Sequence, residues 1–522
     1  MNKTFDLIIA GGSIGGVLAA RAALSTGKRV LLTEETAWIG GQLTNQGVPS
    51  DEHIWIESFG CTATYRNYRN KVRDYYRNHP FIKDAVKSKE IFNPGSGWVS
   101  AIAHEPRLAL HLFHEMLLPY ITNQHLVLMT NAVVIDVVTE SNKVTSATIL
   151  NLKTSEEIIV EGTYFLDATD TGELLPLSGA DYVTGSEGTL YNEPHATAKQ
   201  MPNDMQPITW VAAVSYHEGE THEMEKPEEY DYFKSLKTPY GSDLLSWYGP
   251  TLDPSSTKRL YKFGGTFKDG DKVPPLFTYR QIVDKNLFNP SYNVSDVTLI
   301  NWPQNDYVFG NIFNTDNDDH HKYMAKQLTL SLVYWLKTEA LRDDGGIGYP
   351  ELKLRGDILG TDDGLALAPY IRESRRMKTR YIVKEQDISA KTNKTLPKFW
   401  DSVGVGCYHI DLHMTTESQS YFFENTWPFE IPLGAFISTN LENLIPACKN
   451  IGTTHITNGC FRLHPVEWNI GEVAGYLASY CIDHDLTPST LYADKNHVKA
   501  FQNYLDQKGI ERAWPRDKVH AI

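Results

Sequence analysis

Hydrophobic residues near the N-terminus of the chain follow two different periods. Residues 6–10 (DLIIA) and 29–35 (RVLLTEE) are short apolar runs, whereas residues 17–27 (VLAARAALSTG) carry apolar and small side chains at helical spacing. The hexamer GGSIGG at 11–16 joins the first run to this helix. Such an order predicts a strand, a tight turn, a helix and a second parallel strand, which together make a βαβ unit.

The middle of the chain changes character twice. Residues 105–121 have helical periodicity, and residues 125–168 predict four short strands, with EEIIV and YFLDA read together as one hairpin region. From about residue 190 to 429 the chain is irregular and rich in aromatic residues. This composition is common in loops that line clefts and also in caps that bind nothing. We expect an inserted domain there.

The segment 442–481 carries a second set of ordered signals. Residues 443–447 predict a short apolar strand, residues 452–459 predict a small and polar loop, and Pro465 predicts the first residue of a helix. Small residues recur along that helix at three- and four-residue spacing: Gly471, Ala474, Gly475 and Ala478. This small face predicts close packing against another backbone or a flat ring. One further helix is expected near 498–507 in the tail.

Composition narrows the class of protein. A chain of 522 residues is too long for one core, and 41% hydrophobic with 22% charged residues is typical of soluble globular domains. The formal net charge of -15 argues against nucleic-acid binding. The five cysteines have no CxxC spacing, which favours reduced thiols and no metal centre. Since no segment has the roughly 18 apolar residues of a membrane span, we expect a soluble, cytoplasmic protein.

The glycine hexamer indicates nucleotide binding. Gly11 permits the sharp turn, Gly16 permits close packing of helix and strand, and the helix N-terminus offers free N–H groups to a pyrophosphate. Ser13 stands where the usual pattern has its middle glycine. Glu34, at the end of the second strand, is placed to accept hydrogen bonds from ribose hydroxyls. These residues alone leave NAD and FAD as alternatives.

Four segments carry a resemblance that favours FAD. They are WIGGQLTNQG at 38–47, LDATDTGELLPLSGA at 166–180, FEIPLGAFI at 429–437 and the block at 442–481. With these segments the chain resembles the FAD-dependent oxidoreductases of the fumarate-reductase and glutathione-reductase superfamily. It is most similar to a bacterial family of such enzymes.

The resemblance implies an α/β fold. It has a Rossmann-like FAD-binding domain of the glutathione-reductase type, split between the N- and C-terminal segments, with an inserted α+β substrate domain. The implied boundaries are 1–190 for the first part of the FAD domain, 191–429 for the substrate domain, 430–485 for the returning flavin segment and 486–522 for a helical tail.

The turn pattern and the resemblance together give the expected FAD contacts. On the pyrophosphate and adenosine side they are Gly11, Gly12, Ser13, Ile14, Gly15, Gly16, Glu34, Glu35, Val133, Asp167, Ala168 and Thr169. On the flavin side they are Gly40, Gly41, Gln42, Asn458, Gly459, Pro465, Asn469 and Ile470. The helix that starts at Pro465 is expected to stabilise negative charge on a reduced flavin through its N-terminus.

Candidate catalytic residues come from two segments. THITNGCFRLHP supplies His464 as base or flavin partner, Arg462 as an anchor for anions and His455 as a second base. The alternative for His464 is a ring that only satisfies a backbone carbonyl. The run RESRR supplies Arg375, and on a helix its neighbours at 372 and 376 would share a face. A structural salt-bridge cluster explains that run equally well.

These observations predict an FAD-dependent oxidoreductase that transfers a hydride between a small organic substrate and flavin N5. The chain has neither a second GxGxxG unit nor a CxxC redox pair. The electron acceptor is therefore expected to be oxygen, a quinone, a carrier protein or a second small substrate. Two alternatives stay open: a non-catalytic or sensor flavoprotein, and an NAD-dependent dehydrogenase.

Overall fold

The structure is a computed structural model that describes residues 3–251, 256–265 and 274–522. Its strands are β1 Thr4–Ala10, β2 Val30–Glu34, β3 Leu126–Thr130, β4 Ala132–Glu140, β5 Lys143–Asn151, β6 Glu157–Asp167, β7 Tyr182–Val183, β8 Ala212–Tyr216, β9 Tyr248–Gly249, β10 Arg259–Leu260, β11 Gln281–Val283, β12 Val297–Ile300, β13 Leu352–Leu354, β14 Arg376–Met377, β15 Ser402–Gly406, β16 Ile410–Leu412, β17 Phe422–Glu424, β18 Phe429–Pro432 and β19 Leu444–Pro446.

Helices cover much of the two ends of the chain and one long stretch of its middle. They are α1 Ile14–Leu24, α2 Ala63–Asn78, α3 Asp84–Lys87, α4 Pro106–Thr122, α5 Leu174–Ser178, α6 Tyr230–Ser235, α7 Leu276–Tyr279, α8 Asp318–Thr338, α9 Gly356–Leu359, α10 Glu385–Ile388, α11 His455–Phe461, α12 His464–His484, α13 Pro488–Ala493 and α14 Lys495–Gln507. The βαβ unit, the helix at 105–121, the helix after residue 463 and the tail helix are therefore confirmed.

The principal sheet has the strand order β3-β2-β1-β6-β5-β4, and β19 pairs with β6 outside this path. Pairing is parallel for β1 with β2 and β6, for β2 with β3, and for β6 with β19. β2 is buried along its whole length, as is usual for a parallel strand covered on both faces. This is the α/β architecture expected from the sequence.

The hairpin expected within 157–168 is wrong. Residues 157–167 form the single strand β6, which pairs antiparallel with β5 over its first half and parallel with β19 at its end. Gly162 does not turn the chain, because it lies in the strand and packs against the side chain of Ile8. One long strand thus joins the β4–β5 ribbon to the parallel part of the principal sheet.

Helices α1 and α12 cross in direct backbone contact. A Cβ atom on Gly471 would overlap the carbonyl oxygen of Gly15, and one on Gly475 would overlap that of Ala19. The small face predicted for α12 therefore packs against the backbone of α1. This contact fixes the N-terminus of α12 beside the glycine turn.

The inserted segment holds an antiparallel sheet of order β11-β12-β8-β13. Its buried apolar residues form one continuous core with those on one face of the principal sheet, the face that carries Leu7 and Ile9. The boundaries at 190 and 429 stay a prediction. Among the described residues, no helix combines the length and the apolar character that crossing a membrane requires.

Two local expectations for the site segments are wrong. Residues 455–459 belong to helix α11, whose start is capped by Thr454 Oγ1 accepting the Thr457 N–H at 3.2 Å. The run RESRR is extended up to β14, so that Arg372 and Arg376 share no helical face. In the RESRR run the partners that decide the conformation, Glu187 and Asp306, lie far away in the sequence.

Candidate active site

The turn between β1 and α1 depends on its backbone geometry. Gly11 has a φ of 90°, and a Cβ atom there would overlap the carbonyl group of Ala168. Ser13 is the N-cap of α1, and its Oγ accepts a hydrogen bond from the Gly16 N–H at 3.3 Å. The serine in place of the usual middle glycine therefore caps the helix.

A cavity of about 820 Å³ opens where β1, β2 and β6 end. The expected site residues that line it are Gly11, Ser13, Glu34, Glu35, Val133, Thr169 and Arg375. Gly12, Ile14, Gly15 and Gly16 lie in the adjoining turn and the first turn of α1. In open α/β sheets ligands bind at the carboxyl ends of the strands, and the structure brings the adenosine side of the expected site to this position.

Glu34 is buried at the edge of this cavity. Its Oε2 accepts the Gly12 N–H at 3.0 Å, and its Oε1 accepts the side chains of Thr36 at 2.7 Å and Asn45 at 3.0 Å. Burial outweighs these bonds and raises the pKa of Glu34 to about 7. The Glu34 side chain therefore holds the glycine turn in place through its bond to the Gly12 N–H.

Asp167 and its neighbours turn the chain at the end of β6. The Asp167 carboxylate accepts the Thr169 N–H and hydroxyl through Oδ1 and the Leu174 N–H through Oδ2. Burial raises the pKa of Asp167 to about 7. The side chain of Asp167 is wholly buried, and Ala168 and Thr169 present the turn to Gly11 and to the cavity.

The loop after β2 ends in three buried amides. Gln42 Oε1, Asn45 Oδ1 and Gln46 Oε1 are buried and accept no hydrogen bond from the described residues. Gly40 and Gly41 precede them and bring this loop against Ser13. Buried acceptors without donors cost free energy, which indicates that a ligand with donor groups satisfies them.

Acidic and basic groups meet between this loop and α12. Glu467 Oε1 accepts the Gly15 N–H at 3.2 Å, and its Oε2 contacts the Gln42 amide nitrogen. The fully buried Lys449 pairs with Asp170 and lies 3.6 Å from Glu467. The sequence expectations missed Glu467, although an acidic residue in the first turn of a helix that begins with a proline is a common N-terminal signal.

Helix α11 presents a polar face to the interior. His455, Asn458 and Arg462 are spaced so that they share one side of the helix and its C-cap. His455 Nδ1 pairs with Glu373 Oε1 at 2.9 Å. Burial lowers the pKa of His455, but the charge of Glu373 and the hydrogen bond to it together outweigh burial, so the net shift of the pKa is upward. The structure thus joins two of the segments that the sequence left in competition.

The RESRR run is a buried ion-pair cluster. Arg376 pairs with Glu187 at 2.7 Å and also contacts Glu373, while Arg372 pairs with Asp306 at 2.8 Å. For Arg372 and Arg376 the structure therefore has the salt-bridge cluster that was the alternative to a catalytic role. Arg375 differs, because it donates to the Thr171 carbonyl at 3.0 Å and lines the large cavity.

His464 is fully buried at the start of α12. Its Nδ1 accepts the Asp51 N–H at 3.1 Å, and its Nε2 lies 3.2 Å from the Val48 carbonyl oxygen. Burial is the main cause that lowers the pKa of His464 to about 3. Both ring nitrogens are thus engaged by backbone groups, which matches the alternative stated for this residue.

A second cavity of about 310 Å³ is lined by Asp306, the residue that pairs with Arg372. His413 lines it and contacts Asp306 through Nδ1 at 2.6 Å and Asp411 through Nε2 at 3.4 Å. Asp411 in turn accepts from Arg462 at 3.3 Å. The sequence expectations missed His413, although the alternation of Asp411 and His413 along a strand places both on one face.

Four expected flavin contacts have packing roles in the structure. The Asn469 side chain accepts the Val405 N–H at 3.1 Å, and Gly459 packs against the backbone of Asp411. Ile470 is fully buried in the core, and Pro465 lies in the first turn of α12. None of these side chains lines the two cavities described above.

A family model described as FAD dependent oxidoreductase matches residues 6–505 of the chain. No curated protein matches the chain. The match to the family model decides between NAD and FAD in favour of FAD.

Several solved structures are similar to part of the chain. It is similar to the myxobacterial chondrochloren halogenase CndH, a variant of FAD-dependent halogenases, at 17% identity over 42% of this chain and 46% of that chain, with a TM-score of 0.22. A geranylgeranyl bacteriochlorophyll reductase-like protein from Thermoplasma acidophilum has 17% identity over 41% and 47%, with a TM-score of 0.20.

The flavin-dependent monooxygenase PieE, solved with FAD and substrate, has 13% identity over 40% of this chain and 35% of that chain, with a TM-score of 0.22. The chain thus spans less than half the length of each of these solved proteins. At these TM-scores the likeness carries no argument about activity.

Proposed function

Because the chain belongs to the FAD-dependent oxidoreductase family, we propose that this enzyme moves a hydride between a small organic substrate and its flavin, with the proton handled by His455. The observation that carries this proposal is the buried His455–Glu373 pair on the polar face of α11. When bound, FAD supplies N5, the atom that takes or gives a hydride.

The chain's own residues fit FAD. The glycine turn leaves no room for a side chain at Gly11, the Gly15 N–H at the start of α1 is held by the Glu467 side chain, and the large cavity adjoins the turn. The three amide oxygens of Gln42, Asn45 and Gln46 have no donor among the residues that the structure describes. Ribityl hydroxyls and the flavin imide are donors of the kind that these acceptors need. We assign the adenosine to the side of Val133 and Glu34.

Charge around the glycine turn supports the same orientation. Lys449 is fully buried and offers a positive charge beside Glu467 and Asp170. A pyrophosphate at the N-terminus of α1 would take over the Gly15 N–H that Glu467 now occupies. We assign Arg375, which lines the same cavity, to the cofactor and not to the reaction.

His455 is proposed as the proton-transfer group. A substrate that loses a hydride from an alcohol or amine carbon also loses a proton, and an imidazole held by a carboxylate can accept it. Glu373 fixes the tautomer of His455 through Nδ1 and stabilises the imidazolium. Among the described residues Nε2 makes no hydrogen bond, so Nε2 is the nitrogen that exchanges the proton with the substrate.

Arg462 is proposed as the anchor for an anionic group of the substrate. Its Nη1 donates to the Tyr370 hydroxyl at 2.7 Å, and its Nε is buried and has no partner among the described residues. His413 and Asp411 connect Arg462 to the second cavity. His413 is therefore the second candidate for the proton step, favoured by its position on a cavity wall.

The test is anaerobic bleaching of the flavin by a panel of small alcohols, amines and hydroxy acids. With a substrate in hand, His455→Ala should slow flavin reduction by about 10²–10⁴-fold at full FAD loading. His413→Ala is the matched comparison. A loss below about tenfold in His455→Ala moves the proton step away from this residue. Stoichiometric FAD with no bleaching by any member of the panel would favour the sensor alternative.

A further inference from the structure

The loop that follows β8 brings three metal-ligating side chains together. His217 lies directly after the strand, and Glu220 and His222 follow within the next five residues. One ligand atom from each lies within 4.8 Å of the others. His222 Nε2 is 3.1 Å and His217 Nδ1 is 3.8 Å from Glu220 Oε2. We propose that these three residues bind a divalent transition-metal ion of the Zn²⁺ class.

The loop is held in place before any ion binds. The His217 N–H donates to the Glu351 carbonyl at 3.1 Å, and the His222 N–H donates to the Pro350 carbonyl at 3.0 Å. Glu220 closes the loop by donating its N–H to the His217 carbonyl at 3.1 Å. The backbone N–H groups of His217 and His222 are therefore held by consecutive carbonyls of one neighbouring segment, so little backbone entropy is lost when the two imidazoles share an ion.

The outer shell of the two histidines fits ligation. His217 Nε2 lies 2.8 Å from the buried hydroxyl of Ser215, a contact that fixes the tautomer and leaves Nδ1 for the ion. His222 Nε2 is buried and has no hydrogen-bond partner among the described residues. Ser295 Oγ, 3.2 Å from His217 Nδ1, is the contact that an ion would displace.

The loop that carries the three ligands has further negative charge. Glutamates at 218, 223 and 225 surround the loop and attract cations.

Donor chemistry selects the ion. Two imidazoles with one carboxylate suit Zn²⁺, Co²⁺ or Ni²⁺ and not Mg²⁺ or Ca²⁺, which prefer oxygen ligands. Bonds of about 2.0–2.2 Å to a tetrahedral ion hold ligands roughly 3.4 Å apart, so small side-chain rotations complete the shell. Three protein ligands leave one position for water.

The other group of this kind in the described chain is Asp170, Cys448 and Glu467. It already holds the ammonium group of Lys449 and belongs to the cofactor site. The loop after β8 is separate from that site, and its metal binding is independent of the proposed hydride transfer.

The test is equilibrium dialysis of FAD-loaded, tag-free protein against Zn²⁺ after chelator treatment, followed by metal analysis. One Zn²⁺ per chain is expected, with His217→Ala and His222→Ala each weakening binding by more than about tenfold. Ser215→Ala, which keeps all three ligands, should weaken it by about 10- to 100-fold. Glu218→Gln is the matched control and should bind as the unaltered protein does.

Two results overturn the proposal. One is Zn²⁺ binding that is equal in His217→Ala, His222→Ala and the unaltered protein, which places the ion elsewhere. The other is an absence of stoichiometric binding in the unaltered protein. Unchanged flavin absorbance and near-ultraviolet circular dichroism in each variant will show that the loop changes leave the fold intact.

Discussion

At the scale of residues, burial sets the charge state of the groups around the candidate site. It raises the pKa of Glu34 and of Asp167 to about 7, and it lowers that of His464 to about 3. All three shifts favour the neutral form, because ions are poorly solvated in the interior. The core of the site is therefore sensitive to pH in two opposite directions.

His464 gives a prediction with a defined sign. Its folded-state pKa lies below the unfolded value of 6.5, so its contribution to stability is present above pH 6.5 and is lost as pH falls towards 3. His464→Gln keeps a donor and an acceptor but cannot titrate. Between pH 6.5 and 5 the variant should lose about 1.7 kcal/mol less than the unaltered protein, measured by urea unfolding.

The comparison needs an internal control, since other buried histidines titrate in the same range. Burial lowers the pKa of His53 and His104 to about 4, so both variant and unaltered protein will still lose stability in acid. Only the difference between their slopes reports His464. Equal slopes would mean that this imidazole is not buried as neutral.

At the scale of elements, the crossing of α1 and α12 connects the two ends of the chain to the cofactor. Gly471 touches Gly15, a residue of the nucleotide turn, whereas Gly475 touches Ala19 one turn further along. Backbone oxygens cannot rotate away from an added methyl group. Any side chain at these positions must push the helices apart.

Gly471→Ala and Gly475→Ala form a matched pair. Each gains about 1 kcal/mol of helix propensity, but forced packing against a backbone costs about 1–3 kcal/mol or more, so both should lower the free energy of unfolding. Only Gly471→Ala displaces the nucleotide turn and should also weaken FAD binding, measured by fluorescence titration of the apoprotein. Equal FAD affinity in the two variants would separate this helix contact from the cofactor site.

Local patterns predicted the elements that local residues determine. The βαβ unit, α4 and the start of α12 at the Pro465 position follow from periodicity and capping residues close by in sequence. The extended RESRR run did not follow, because Glu187 and Asp306, which neutralise its arginines, lie far from it in the chain. Burial of those charges overrides helix propensity.

The site residues divide in the same way. Gly11 and Ser13 were predicted because the turn and its helix are one local unit. Glu467 and His413 were missed because their meaning comes from partners that the fold alone brings near, Gly15 for the first and Asp306 for the second. The β6 strand was misread because a glycine between two apolar runs usually marks a turn.

At the scale of the whole molecule, the large cavity is shared among β1, β2, β4, β6 and the inserted segment, since Trp210 and Ile312 also line it. A ligand that fills it therefore binds the folded chain and not the unfolded one. Such binding stabilises the fold by about 2.7 kcal/mol at a free concentration of 100 times Kd.

Stabilisation by partial ligands distinguishes the contribution of the adenosine half of FAD from that of the flavin half. Apoprotein should be stabilised against thermal unfolding by FAD and, more weakly, by ADP, because Glu34 and Val133 line the part assigned to adenosine. FMN lacks that part and should shift the unfolding midpoint less than ADP does. If FMN stabilised the apoprotein and ADP did not, the main contacts of the cavity would be to the flavin. The proposed orientation would then be wrong.

The pairing of Gly15 with Glu467 spans 452 residues of sequence. During synthesis at about 5–20 residues per second, the apolar face of α1 therefore waits roughly 20–90 s for the helix that covers it. Nascent chains that end before α12 should present α1 to chaperones and proteases, whereas released chains should not. Proteolysis of ribosome-bound chains stalled on either side of α12 will show whether this protection arrives only with α12.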